Sequence, residues 1–220
     1  MLNDAATRTT TEDVVAGPHD AIVDPSTLGG RPNLGQTPVG TSGRWSLEKC
    51  LALTQAEGIA IWRTLPSPTL EEMNGHYFGM GPDAKDVDYQ KGYADFMFNE
   101  QSKRGYWLGK AFRPLTSTTG EGYNRWRRPG GRVERSLRMA TRVQDSIIDG
   151  KPCYVLDYGA FHESTLFDEV RKVEDGLYFA TASVARKGGG RSDLSFFILV
   201  GPTDEWVGGP YADAEVASKS

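Results

Sequence analysis

The chain has 220 residues, 38% of them hydrophobic, with 26 glycines, 12 prolines, a net charge of −4 and a pI near 5.5. That size supports one substantial core, and the turn-rich composition favours an all-β or α+β globule over a helical bundle. The acidic balance excludes a global field for nucleic acid or anionic membrane, and no stretch approaches the roughly 20 apolar residues of a membrane span.

Residues 1–43 lack apolar periodicity and carry Thr9-Thr10-Thr11, Gly17-Pro18 and Gly29-Gly30-Arg31-Pro32, so they read as a flexible N-terminal arm. Met1-Leu2-Asn3-Asp4 has no positive start followed by an apolar run, so no secretory signal and a cytoplasmic location are expected. From Ser46 to Arg63, Leu47, Cys50, Leu51, Thr54, Gly58 and Ile61 fall on one helical stripe, with Ser46 as N-cap and Gly58 as a weak point. Pro66 and Pro68 end that helix, and Thr69 with Glu72 forms a capping box for a short second one.

Strands follow. Gly75-His76-Tyr77-Phe78-Gly79 and Gly105-Tyr106-Trp107-Leu108-Gly109-Lys110 place bulky rings between glycines, which lets a strand bend sharply and a sheet curl. Residues 88–100 mix helical and strand periods. Strands are expected at 104–112, 123–127 and 133–148, with a polar loop at 117–122. Asp149-Gly150 predicts a two-residue type I′ hairpin between Ser146-Ile147-Ile148 and Cys153-Tyr154-Val155-Leu156. Strands at 168–173, 176–184 and 194–200 complete seven to nine strands with short joins. The expected fold is mostly β, an antiparallel barrel preceded by an N-terminal helix, with a sandwich as the competitor. The barrel domain is expected over 44–205 and a frayed tail over 206–220.

Cys50 and Cys153 lie far apart and read as reduced, buried thiols, and His19, His76 and His162 have no metal-ligand spacing. Gly188-Gly189-Gly190 is followed by neither a helix nor GK[ST], no dinucleotide fingerprint occurs, and no GxSxG elbow is present. No cofactor and no metal are expected.

The helix end Ile61-Trp62-Arg63-Thr64-Leu65-Pro66, the two glycine-bracketed segments, Leu156-Asp157-Tyr158 and Phe167-Asp168-Glu169-Val170-Arg171 together resemble small bacterial lipocalin-like, calycin-type proteins with a GxWxGK segment. The resemblance covers about residues 45–201. It departs at Leu156, where an aromatic is usual, and at the insertion 159–166. It implies a barrel with an apolar cavity, in a family that includes binders and cofactor-free enzymes.

In residues 153–162, Cys153, Val155, Asp157, Gly159 and Phe161 share one face, while Tyr154, Leu156, Tyr158, Ala160 and His162 share the other. Alternation does not say which face is inward. An inward Asp157 would be a desolvated acid or base, and the competing reading is a structural carboxylate that pairs with an arginine or caps a turn. The opposite choice brings Tyr158 and His162 to the cavity. His76 is either a proton donor in the wall or a satisfied core imidazole. Tyr77, Phe78, Tyr106, Trp107, Tyr154 and Phe179 are the candidate wall residues, with Lys110 covering the Trp107 ring or pairing across a strand. Arg125, Arg127, Arg128, Arg132, Arg135, Arg138 and Arg142 read as a solvated basic face rather than an anion site.

The functional expectation is a cavity for a small hydrophobic molecule, polyketide- or terpenoid-like. Within it, His76, Asp157, Tyr158 and His162 would guide a cofactor-independent isomerisation, cyclisation or elimination. The alternatives are a non-catalytic carrier or sensor, and an interaction module working through the N-terminal arm. No nucleic-acid or membrane partner is expected, and a dimer is compatible with the sequence.

Overall fold

The computed structural model describes residues 45–82 and 95–212. The expected N-terminal arm, residues 83–94 and the tail from 213 onward lie outside the described residues.

Two short helices replace the single expected one. Ser46 caps α1 (Leu47–Leu51), its hydroxyl accepting from the Lys49 N–H at 3.2 Å. Thr54 then opens α2 (Gln55–Trp62) with a reciprocal capping box to Glu57. That box satisfies N–H groups at a fresh start, which is why the apolar stripe restarts there. Gly58 has a packing reason: a Cβ at this position would sit 2.5 Å from the Phe196 ring. Both capping-box bonds between Thr69 and Glu72 form, at 2.8 and 3.2 Å, yet they close only a turn. Asn74-Gly75 follows too soon for a helix to propagate.

The strands are β1 (Gly75–Met80), β2 (Phe98–Asn99), β3 (Gly105–Pro114), β4 (Gly120–Arg127), β5 (Val133–Asp145), β6 (Pro152–Asp157), β7 (Phe167–Glu174), β8 (Leu177–Ser183) and β9 (Ser195–Asp204). They form one antiparallel sheet in the order β1-β9-β8-β7-β6-β5-β4-β3-β2. Because β1 also pairs with β3, eight strands close into a barrel and β2 is left as a short addition to β3. The closing seam is built from the two glycine-bracketed segments. Gly109 has φ +119°, and a Cβ there would lie 2.1 Å from the Tyr77 carbonyl oxygen, so only glycine lets β1 and β3 meet.

The hairpin before β6 differs from expectation. β5 ends at Asp145 and β6 starts at Pro152, so the connection is longer than the dipeptide Asp149-Gly150. Only Gly150 has a positive φ, and the Ser146 N–H bonds the Lys151 carbonyl at 2.8 Å. The polar loop expected at 117–122 is also shorter, because β4 begins at Gly120.

The barrel separates two apolar clusters. Outside, Cys50, Leu51 and Trp62 of the helical segment pack on Cys153, Phe179, Phe196 and Ile198. Arg171 is fully buried beneath them, 4.1 Å from the Trp62 ring centre and paired with Asp149 at 2.6 Å. Inside stand Tyr77, Trp107, Phe112, Met139, Tyr154, Leu156, Tyr158, Val170, Tyr178, Phe197 and Leu199.

Candidate functional site: a polar cluster in the barrel interior

The two ends of the barrel differ. At the lower end, where β1 starts and β9 finishes, the segment before β1 inserts Leu70 and Met73 into the interior cluster. The Tyr77 hydroxyl donates to the Glu72 carbonyl at 2.7 Å, and the Lys172 N–H donates to the Pro66 carbonyl at 2.9 Å, pinning this plug. Above it, Tyr77, Phe112, Met139, Tyr154, Leu156, Val170 and Leu199 expose no surface, so side chains fill this part of the interior up to the level of Lys110 and Asp168, the cross-strand partners of Tyr77 and Leu156. The hollow expected from the sequence does not extend into it. Near its middle, the Thr141 hydroxyl lies by the Tyr154 hydroxyl without reaching hydrogen-bond geometry.

At the upper end, the interior cluster is rimmed by partly exposed Met97, Phe98, Leu137, Leu166 and Ala182. Leu137 is the one described non-glycine residue with a positive φ, +53°. It sits where the β4–β5 register shifts. A leucine held in this conformation stores backbone strain that packing must offset.

Under this rim lies a buried polar cluster. The Lys110 ammonium donates to Asn124 Oδ1 at 2.9 Å, to the Tyr158 oxygen at 2.6 Å and to Asp168 Oδ2 at 3.0 Å. Its nitrogen also lies 5.4 Å from the Trp107 ring centre, 5.3 Å from that of Tyr158 and 5.3 Å from that of Phe197. Trp107 Nε1–H donates to Asn124 Oδ1 at 2.9 Å, and Asn124 Nδ2–H donates to Tyr158 at 3.2 Å. The Tyr158 hydroxyl in turn donates to Asp168 Oδ2 at 2.8 Å. Burial pushes the Lys110 pKa down, with the Asp168 carboxylate acting against it. Burial, then the Asp168 charge, pushes the Tyr158 phenol well up. The arrangement is a charge-paired, hydrogen-bonded group in an aromatic box, where low dielectric strengthens each contact.

The sequence candidates do not converge. Tyr158 is in the cluster, inside a short 3-10 turn (Tyr158–Ala160) that ends the alternation of β6. Asp157 faces outward and pairs with Arg142 at 3.2 Å, the structural reading of that carboxylate. His162 follows the turn, its backbone N–H bonded to the Tyr158 carbonyl at 3.0 Å. His76 stands on the outer face of β1, not in the interior. Its Nε2 lies 2.9 Å from the Tyr123 hydroxyl, which donates to the Val207 carbonyl at 2.6 Å, so Nε2 carries the proton. Burial, then the Arg125 and Arg135 charges, lowers the His76 pKa to about 4, with Asp204 opposing.

Among the wall candidates, Tyr77, Trp107 and Tyr154 face the interior. Phe78 and Phe179 face outward onto the helical cluster, and Tyr106 turns away from Trp107, against Phe98 and the Arg127 guanidinium. Lys110 meets both expectations, lying near the Trp107 ring and bonding its cross-strand partner Asn124, whereas Asn124 and the Asp168 partnership are not legible in the sequence. Strict alternation puts Trp107 and Lys110 on opposite faces, but a register shift between Trp107 and Gly109 turns both inward. The signal was present in Gly109 itself.

Elsewhere, the arginine-rich face is matched by acids. Glu121 pairs with Arg113 and Arg138, each at 2.6 Å, and Glu134 with Arg128 and Arg132. Cys50 and Cys153 are buried and free, their thiol pKa values pushed up to about 12, mainly by burial. A cleft of about 550 Å³ lies at the lower end, lined by residues 74–75 and 202–206, away from the polar cluster. Among the described residues, no group of three or more His, Cys, Asp or Glu side chains could hold a metal ion, and no helix is long and apolar enough to cross a membrane.

No protein-family model matches this chain, and no curated protein matches it. Among solved structures, it is similar to a protein from Thermomonospora curvata, with 17% identity over 68% of this chain and 88% of that one, at a TM-score of 0.47. It is also similar to bovine odorant-binding protein, solved in complex with undecanal, with 16% identity over 63% of this chain and 77% of that one, at a TM-score of 0.32.

Proposed function

We propose that the barrel binds a small hydrophobic molecule at its upper end. The observation that carries this reading is a set of apolar, partly exposed side chains packed on the interior cluster at the end where Lys110, Tyr158 and Asp168 are buried. Ligand sites of this kind are mostly apolar, with a few fixed polar groups that orient the guest. The opposite end is sealed by Leu70 and Met73, so entry is from one side. Leu137 supports the same reading, since strain at a rim side chain fits a position selected for contact rather than for stability.

Catalysis is a second reading, favoured by one feature. The Tyr158 hydroxyl is held between an ammonium and a carboxylate, an arrangement able to hand a proton to or from a guest. A cofactor-independent isomerisation, cyclisation or elimination of a polyketide- or terpenoid-like molecule would use Tyr158 at its centre. Asp157 and His76 take no part in it, because they face outward. A carrier needs the same rim and no proton transfer.

Native mass spectrometry of protein purified under mild conditions, with tryptophan fluorescence on adding apolar probes, tests the binding reading. Trp107 and Trp126 lie in this half, so a bound guest changes their emission. An unchanged spectrum across neutral apolar probes, with no co-purified small molecule, would overturn it. Recovery of an intact ligand after long incubation separates carrier from enzyme.

A further inference from the structure

We infer that the guest at the upper end is a neutral molecule bearing a hydroxyl or similar hydrogen-bond donor, received by Asp168 Oδ1. The inference rests on the binding reading above and names the chemistry that this site selects.

The donors and acceptors of the cluster account for one another almost completely. All three N–H groups of Lys110 are directed, to Asn124, Tyr158 and Asp168. Asn124 Oδ1 accepts from both Trp107 and Lys110. The Tyr158 oxygen accepts from Lys110 and Asn124 and donates to Asp168 Oδ2. That same Oδ2 also takes the Lys110 contact. The remaining carboxylate oxygen, Asp168 Oδ1, is buried and has no hydrogen-bond partner, on a residue only 2% exposed. A buried acceptor left unmatched is costly, and a charged one more so. A donor that reaches it is favoured on both counts.

The side chains facing Asp168 on β8 are small. Its register partner on β8 is Ala182, and Ala180 is the next inward residue on that strand. Most of the remaining ring is Trp, Tyr, Phe or Leu, so small side chains flank the carboxylate. Ala182 and Leu166, two residues before Asp168, are partly exposed. An anionic guest fits poorly here: it would meet a carboxylate oxygen, and Lys110 has no free N–H to offer. Of the cations at this end, Arg191 is committed to Ser183 and Thr165, and Arg104 lies 3.8 Å from the Phe96 ring centre.

The test compares decan-1-ol, decyl methyl ether and decanoate on the full chain, by titration against tryptophan emission. The alcohol is expected to bind about tenfold or more tightly than either of the others. Equal affinity for all three, or tightest binding of decanoate, overturns the inference and leaves the hydrophobic site standing. Binding of none of them removes the hydrophobic site itself. Asp168→Asn, checked for folding by circular dichroism, is expected to erase the preference for the alcohol. A folded variant that keeps it shows that Asp168 is not the acceptor. If the variant does not fold, the panel on the unmodified protein decides.

Discussion

The two halves of this barrel's interior are made from the same strands and differ in whether they bury charge. In the lower half, Tyr77, Phe112 and Tyr154 fill the space, with ring centres of Tyr77–Phe112 and Phe112–Tyr154 5.4 and 5.7 Å apart, under a fixed plug. In the upper half, charges are buried, one carboxylate oxygen lacks a partner and the rim is partly exposed. Solid packing serves stability alone. Buried charge with an unmatched acceptor is poor for stability and useful for recognition, which supports the upper half as the proposed binding site.

The largest effects should come from breaking that division. Phe112→Ala or Tyr154→Ala removes a completely buried ring and should cost about 3–5 kcal/mol in urea unfolding, with no change in ligand preference. Lys110→Met alone should cost about 3–5 kcal/mol, because it strands the Asp168 carboxylate. The double variant Lys110→Met/Asp168→Leu should recover most of that loss, since apolar groups can replace a buried ion pair. A double variant no more stable than the single would show that the upper half is held by packing, like the lower.

The outer face offers a buried polar setting of neutral groups that sharpens the contrast. His76 donates to Tyr123, and Tyr123 to Val207, under the rings of Trp206 and Tyr211. His76 stays neutral in the folded protein down to about pH 4, against an ordinary value of 6.5. Between these values the unfolded chain binds the extra proton, so stability is full above about pH 6.5 and falls as pH drops toward 4. The loss should be on the order of 2 kcal/mol after solvent screening. His76→Gln keeps a donor to Tyr123 without titrating. Its urea midpoint should therefore change less between pH 7.5 and 4.5 than that of the parent. An equal change in both proteins would assign the acid sensitivity to carboxylates alone.

Much of the barrel was legible, and the reasons are specific. The glycine pairs around His76-Tyr77-Phe78 and Tyr106-Trp107-Leu108 announced the bend that became the closing seam. Alternation in residues 153–157 held. Both faces are buried, and which one turned into the barrel was set by distant strands, which period 2 does not encode. The polar cluster was hidden for a related reason. A register shift puts Trp107 and Lys110 on one face, and Asp168 lies 58 residues beyond Lys110, so no local pattern joins them. The hairpin expected at Asp149-Gly150 opens to a longer loop, in which Glu169 accepts from the Ile147 N–H, Ser146 Oγ accepts from the Ile148 N–H, and Asp149 pairs with Arg171.

The smallest stability effect belongs to the rim, where the comparison is most sensitive. At Leu137, φ is +53°, a conformation that costs a leucine roughly 1–2 kcal/mol and glycine almost nothing. Leu137→Gly relieves that strain and loses a partly exposed apolar side chain worth about 1–2 kcal/mol. The two terms oppose each other, so the unfolding midpoint should stay within about 1 kcal/mol of the parent. Leu137→Ala keeps the strain and loses most of the contact, so it should be the less stable of the two. If the leucine is there for a guest, both variants should bind apolar probes more weakly, although one of them is nearly as stable as the parent. Unchanged affinity in Leu137→Gly would mean that the strain serves the β4–β5 register alone.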